Sequence, residues 1–170
     1  MIYWTNFDFN EWIVTIAATK QGLCYAGLAE DSVERMKDWS YRFDTVDLIE
    51  DETKLGVYIS KMKEYLSGTT KDFSVIPLDL KGTSFQLQVW EALQRIPYGE
   101  TMTYSEIAEQ IGKSSSVRAV ASAIGKNPVM VVVPCHRVIA KDGSLSGYRD
   151  GRNQKAKLIL LESTHTKINE

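Results

Sequence analysis

The chain has 170 residues, 44% apolar and 25% charged, with a formal net charge of −2. That length fits one domain or two small ones, and the apolar fraction is enough for a real core. No apolar run reaches the roughly 18 residues that span a bilayer, Cys24 and Cys135 give no disulfide framework, and residues 1–8 do not read as a signal peptide. A cytoplasmic, reducing setting is therefore the expectation.

Charge is distributed unevenly. Residues 1–81 carry 9 basic and 14 acidic side chains, a balance of −5, whereas residues 82–170 carry 11 and 8, a balance of +3. Within 112–157 stand Lys113, Arg118, Lys126, Arg137, Lys141, Arg149, Arg152, Lys155 and Lys157 against Asp142 and Asp150. A local excess of this sign suits a polyanion such as DNA.

Along the first half, residues 12–18 read as a strand, Lys20-Gln21-Gly22 as a turn and residues 23–28 as a second strand, together a hairpin. Cys24 falls in the apolar second strand and is assigned to the core. A short helix is expected over 30–39. Leu55, Ile59, Met62 and Leu66 form a helical stripe over 52–66, ended by Gly68-Thr69-Thr70. Residues 75–78 are expected to form a short edge strand, since Pro77 cannot donate to a ladder.

The character changes near Leu80-Lys81-Gly82, where a domain boundary is placed, giving domains 1–81 and 82–170. Thr83 with Gln86 three residues later has the form of a capping box. Phe85, Val89, Leu93 and Ile96 then line one helix face. After the turn Pro97-Tyr98-Gly99-Glu100, Thr103 and Glu106 repeat the capping signal. Tyr104, Ile107, Ala108 and Ile111 face inward on a short helix that stops at Gly112. A third helix over 116–124 turns Val117, Val120, Ala121 and Ile124 inward and Arg118, Ala119, Ser122 and Ala123 outward. Two short helices joined by a glycine turn read as helix-turn-helix, and the small outward residues would let the helix approach a groove. A last helix over 154–162 has Ala156, Ile159 and Leu160 as core candidates. The expected fold is α+β: a small antiparallel sheet with helices, then a mostly helical part holding the helix-turn-helix and a cysteine.

Chemistry concentrates in Val131-Val132-Val133-Pro134-Cys135-His136-Arg137-Val138. Read as a β-branched strand stopped by a proline, it holds a thiol next to a group that can take its proton and a group that can stabilise its anion, which is how a nucleophile is arranged. His136 can relay the proton directly or through one water, and a carboxylate usually holds the other ring nitrogen. Glu162 and the terminal Glu170 are the acids of the last segment. Asn127-Pro128 stands where the third helix ends, and an Asn at such a corner can bond backbone on both sides. The loop 144–151, with two glycines and Tyr148, could wall a pocket for a flat base. The adjacent Cys135 and His136 do not match zinc-ligand spacings, and neither a P-loop nor a dinucleotide fingerprint appears, so no metal and no cofactor are expected.

Gly125-Lys126-Asn127-Pro128 together with Pro134-Cys135-His136-Arg137-Val138 resembles the active-site segment of the O6-alkylguanine-DNA alkyltransferases. The resemblance runs over 82–162, is most specific over 127–138 and is weak over 1–81. It implies Cys135 as alkyl acceptor, His136 as the base acting through water, Glu162 as its carboxylate partner and Asn127 as hinge between recognition helix and active site. It further implies Tyr104 as the residue that helps rotate the nucleotide, Arg118 as the residue filling the gap in the duplex, and Val138 and Tyr148 as pocket contacts. The family's loop often ends in Gly-Gly, where Asp150-Gly151 stands here, and Arg149 replaces a small residue of some members. These departures bear on the pocket's tolerance of bulky alkyl groups.

The implied activity is DNA repair in duplex DNA by irreversible, one-for-one transfer of an alkyl group from O6-alkylguanine after base flipping, with O4-alkylthymine left open as a further substrate. A monomer is expected, with no membrane partner. The competing readings are a helix-turn-helix regulator, an alkyltransferase-like lesion binder that performs no transfer, and a Cys-His hydrolase. Dependence on the Cys135 thiol separates the first two from transfer, and turnover separates the third.

Overall fold

The computed structural model describes residues 1–43, 47–145 and 147–168 and divides into two compact units, Met1–Lys81 and Gly82–Glu170. In the first, three strands follow one another as antiparallel neighbours: β1 (Ile2–Phe9), β2 (Trp12–Thr19) and β3 (Gly22–Gly27). The β1–β2 turn needs a left-handed residue, and Asn10 supplies it at φ 54°. Helix α1 (Ser32–Ser40) carries the chain to the far side of β1, where β4 (Leu48–Glu50) pairs parallel. The sheet order is β3-β2-β1-β4, so the sheet is mixed where an antiparallel one was expected. Two antiparallel steps make β3 parallel to β1, and the crossover by way of α1 brings β4 back in the direction of β3, so β4 lies parallel to β1. Ile2, Ala17, Cys24, Tyr25 and Met36 form the core of this unit, with Trp4, Trp39, Phe43 and Leu48 packed against it.

The stripe over 52–66 folds as a 3₁₀ turn (Glu52–Leu55) followed by α2 (Gly56–Leu66), with Leu55, Met62, Tyr65 and Leu66 buried. Residues 75–78 do not form a strand. Leu78 makes only an isolated bridge to Leu23, while Ile76 N–H donates to Phe73 O and curls the chain just before it. Pro77, which has no N–H, contributes only its carbonyl, to Leu23 N–H.

The second unit opens with α3 (Ser84–Gln94). Thr83 and Gln86 form the reciprocal capping box in full. A two-residue strand, β5 (Met102–Thr103), leads into α4 (Tyr104–Gln110), whose first turn is capped by the Thr103 hydroxyl accepting from Glu106 N–H. Gly112, at φ 72°, closes α4: Gly112 N–H donates to Glu109 O and Lys113 N–H to Ala108 O. Helix α5 (Val117–Gly125) then packs on α3, and Trp90 Nε1–H donates to Ala123 O at 2.9 Å. Here the structure corrects the outward face of α5. Ala123 is 3% exposed, because it sits one turn from Val120 on the side taken by Trp90. Arg118, Ala119 and Ser122 are exposed.

The last helix, α6 (Arg152–Ile168), is longer than expected and turned. Its buried positions are Lys155, Leu158 and Glu162, while Ala156 and Leu160 are exposed and Ile159 is half-buried. The ion pairs made by Glu162 choose the inward face of this helix, and the aliphatic residues follow it.

Candidate active site

The segment over 129–133 is a buried turn and not the strand its β-branched run suggests. Val133 N–H donates to Val129 O, Val132 N–H to Met130 O and Cys135 N–H to Val133 O, and Val131 takes φ 74°, which is costly for a β-branched residue. A side chain stands in for the ladder. Asn127 Oδ1 accepts from Val129 N–H at 2.9 Å, and Asn127 Nδ2 donates to Val133 O at 2.8 Å. One amide thereby satisfies both ends of a buried backbone turn.

That turn delivers Cys135 into a short 3₁₀ turn, Cys135–Arg137, where the residue is 5% exposed. Asn127 Nδ2 also donates to Cys135 Sγ at 3.2 Å, and Met130 Sδ lies 3.5 Å from the same sulfur. Burial pushes the thiol up to about 11. The Asn127 hydrogen bond and the charges of Arg149 and Lys155 oppose that rise, and Asp150 adds to it.

His136 is fully buried, and its Nε2 lies 2.6 Å from Glu162 Oε2. Arg137 grips the same carboxylate by two bonds, Nε to Oε1 at 2.8 Å and Nη2 to Oε2 at 2.9 Å, and donates through Nη1 to Ile96 O. Gly99 N–H completes the set on Oε1 at 3.1 Å. A side chain at Gly99, which has φ 82°, would run into Thr166 of α6. Burial drives Glu162 upward, but His136 and Arg137 outweigh it and hold the carboxyl at about 2. Burial holds His136 below its ordinary value despite the Glu162 bond. Burial, with the charges of Arg137 and Lys155 adding to it, outweighs the pull of Glu162 and favours the neutral imidazole. This is the protonation state a base requires.

A two-residue parallel pair, β5 with β6 (Val138–Ile139), ties the thiol's turn to α4 in the register Met102↔Val138 and Thr103↔Ile139. The next residue after Thr103 is Tyr104, half-buried at the first position of α4. Val138 is fully buried, and Tyr148 is half-buried in the loop before α6. Arg149 does more than line that loop: its Nη1 donates to Asn127 O at 2.8 Å and its Nε to Asp150 Oδ1 at 3.2 Å. Helix α5 carries Arg118 at its exposed start and delivers Asn127 just past its end. Ser146 and Glu170 lie outside the described residues.

Sequence reasoning counted Arg137, Arg149 and Lys155 in the basic excess suited to DNA. The structure takes all three out of it: Arg137 is 8% exposed and paired with Glu162, Lys155 is fully buried, and Arg149 is engaged by Asp150. Lys113, Arg118, Lys126, Lys141 and Arg152 remain exposed, with Lys157 half-buried. The seven-residue spacing of Lys155 and Glu162, two helical turns on one face, was the available signal for the buried lysine. Met130 carried no signal of its own, and Asp150 stood out only as a departure from the family's Gly-Gly. Among the described residues, no group of three or more His, Cys, Asp or Glu could hold a metal ion, and no helix is long and apolar enough to cross a membrane.

Comparison with known proteins covers both units. Residues 84–164 match the DNA-binding domain of 6-O-methylguanine DNA methyltransferase, and residues 2–80 match its ribonuclease-like domain. The inducible methylated-DNA–protein-cysteine methyltransferase of Bacillus subtilis is 47% identical over 162 residues, covering 95% of this chain and 90% of that protein. The crystal structure of O6-methylguanine methyltransferase from Mycobacterium tuberculosis superposes with a TM-score of 0.84 at 34% identity over the whole of both chains. A crystal structure of M. tuberculosis OGT in complex with DNA gives 0.83 at 35% identity, covering 96% of this chain and 94% of that one. With both of its units matched, the chain belongs to the 6-O-methylguanine DNA methyltransferase family.

Proposed function

We propose that the protein repairs duplex DNA by moving the alkyl group of O6-alkylguanine onto its own Cys135, once per molecule, in the cytoplasm and as a monomer. Residues 82–170 form the DNA-binding and transfer domain, and residues 1–81 a separate domain. The observation that carries this reading is the Asn127 amide on the Cys135 sulfur at 3.2 Å, with the His136–Glu162 pair on the adjacent residue.

The lesion lies inside a base stack and has to be rotated out, at a cost of a few kcal/mol. Tyr104 assists the rotation, Arg118 fills the vacated space, and Ala119 and Ser122 allow α5 a close approach to the groove. Ala123 supports that face from within by accepting the Trp90 bond. Val138 and Tyr148 bound the space for the base. His136, its Nε2 on Glu162, receives the Cys135 proton through its other ring nitrogen, directly or by way of one water. The thiolate then attacks the alkyl carbon in line. The new bond is sulfur to carbon, the broken bond is carbon to O6, and the electron pair leaves on guanine. A donor near the base, for which the Tyr104 hydroxyl is suited, stabilises that developing charge, and a proton returns to guanine. The product is a thioether, which water does not cleave. O4-alkylthymine offers the same bond and is a second substrate. No cofactor enters, because the substrate carries its own leaving group.

A DNA-binding regulator would have no use for a thiol held by an amide donor beside a neutral imidazole. The test is the fate of the base. A duplex with a single O6-methylguanine, mixed with a stoichiometric amount of protein, should yield unmodified guanine in the same strand. An abasic site, or a lesion bound but unchanged, would contradict the proposal.

A further inference from the structure

Arg149 stands where a carbonyl, a carboxylate and a thiol converge. Its guanidinium donates Nη1–H to the Asn127 carbonyl at 2.8 Å and Nε–H to Asp150 Oδ1 at 3.2 Å. The Asp150 side chain is fully buried and that of Arg149 is 17% exposed. On the other side of the same residue, Asn127 Nδ2 divides its hydrogens between Val133 O and Cys135 Sγ. The backbone and the side chain of Asn127 are thus gripped separately, one by Arg149 and the other by the turn that presents the thiol.

This grip matters because Asn127 follows the end of α5: its own N–H still bonds back to Ile124 O, but Pro128 has no N–H with which to continue the helix ladder through the Asn127–Pro128 peptide. A guanidinium is planar and presents its donors at set angles, so an arginine anchored by a carboxylate holds a carbonyl in one orientation. Tilting that peptide would swing the side-chain amide off the sulfur, since hydrogen bonds weaken steeply with angle. Charge acts in the same sense. Arg149 and Asp150 from the loop and Lys155 from α6 are the charged groups around the thiol, with neutral His136 on its own turn and Glu162 and Arg137 behind that histidine. Arg149 and Lys155 favour the thiolate, and Asp150 opposes it while fixing Arg149.

We propose that Arg149 is a positioning residue for alkyl transfer: clamped by Asp150, it holds the Asn127 carbonyl so that the Asn127 amide stays on the Cys135 sulfur, and it places a positive charge beside the thiolate. The inference rests on Cys135 being the acceptor. It assigns to the loop before α6 a part in activating the nucleophile, in addition to walling the base.

The test uses the full chain without DNA. Cys135 is alkylated with iodoacetamide at pH 8, and the rate is followed on the Cys135 peptide by mass spectrometry. Well below the thiol's midpoint, the rate reports the thiolate fraction. The Arg149 charge favours the thiolate, and an opposite charge near a titrating group is worth about one pH unit or more, so Arg149→Met should react about tenfold more slowly. Arg149→Gln keeps a donor for the carbonyl without the charge and should fall between Met and wild type. Arg149→Lys keeps the charge and should recover most of the rate. Should the Met variant fail to fold, the Gln and Lys variants carry the same prediction. Gln and Met rates equal to wild type, or a Lys variant as slow as Met, would overturn the inference. Methyl transfer from lesion DNA is mapped on the wild type in parallel. A methyl group on another residue sinks the acceptor assignment, whereas an unshifted rate in a protein that methylates Cys135 sinks the role of Arg149 alone.

Discussion

Both cysteines are unpaired and buried, and their surroundings differ in kind. Cys24 lies in β3 among Ile2, Ala17, Tyr25 and Met36, and its Sγ–H donates to Ala17 O at 3.3 Å. Burial pushes that thiol far above its ordinary range, and the charge of Asp79 pushes it further. Cys135 is buried as well, but a side-chain amide donates to its sulfur, and Arg149 and Lys155 oppose the effect of burial, so it rises only to about 11. Apolar packing alone silences a thiol. Burial combined with a donor, nearby cations and a neutral imidazole on the next residue keeps a thiol out of water and ready to lose its proton when substrate arrives.

The strongest way to break this contrast is to exchange the two outcomes. Cys135→Ser should abolish methyl transfer to below detection while still binding duplex DNA in a mobility-shift assay, since the exposed face of α5 is untouched. Residual transfer would show a second acceptor. Next in size is Glu162→Gln. It removes the partner that orients His136 and should slow single-turnover transfer by roughly 10²-fold. It also leaves Arg137 buried without its carboxylate, which should cost about 3 kcal/mol in urea unfolding. A full transfer rate in the folded variant would show that the imidazole is oriented by something else.

Acid sharpens the same point. Glu162 is held at about 2 against an ordinary 4.5, so its contribution is complete above pH 4.5 and is lost as the pH falls toward 2. His136 is held below its ordinary 6.5, so the unfolded chain takes up that proton first and stability begins to fall as the pH drops through 6.5. Urea midpoints should therefore decline in both windows for wild type, with the lower decline missing in Glu162→Gln. Stability that rose on acidification would reverse the signs assigned here. Arg118→Ala is expected to be milder. Flipping, read by a fluorescent base opposite the lesion, should weaken about tenfold, with a smaller loss of DNA affinity. Equal losses would make Arg118 an ordinary phosphate contact. The smallest effect is expected from Cys24→Ala: an unchanged transfer rate and roughly 1 kcal/mol of lost stability.

What could be read from the chain was local. The β2–β3 hairpin, the Thr83–Gln86 capping box and the glycine stop at Gly112 are each set within a few residues, and the pattern of residue types was enough to find them. Contacts over long separations were not legible from pattern. Glu162 meets His136 across 26 positions and reached the sequence reading as a partner only by resemblance. The run of β-branched residues at 131–133 looked like a strand, and it became a turn because the Asn127 side chain satisfies the backbone that a neighbouring strand would have paired. In α6, counting aliphatic residues chose the wrong face, since the buried ion pairs of Glu162 turn Lys155 inward and leave Leu160 exposed. The parallel pairing of β4 with β1 joins residues far apart in the chain, Ile2 with Leu48, which local residue types do not encode.

The most direct test of the account is the mass of the protein and of its Cys135 peptide after incubation with excess duplex DNA containing O6-methylguanine. The account predicts one added methyl group per chain, located on Cys135, with Cys24 unmodified and no further loss of lesion once every molecule has reacted. Lesion loss continuing beyond the amount of protein, or a methyl group on any residue other than Cys135, would contradict it.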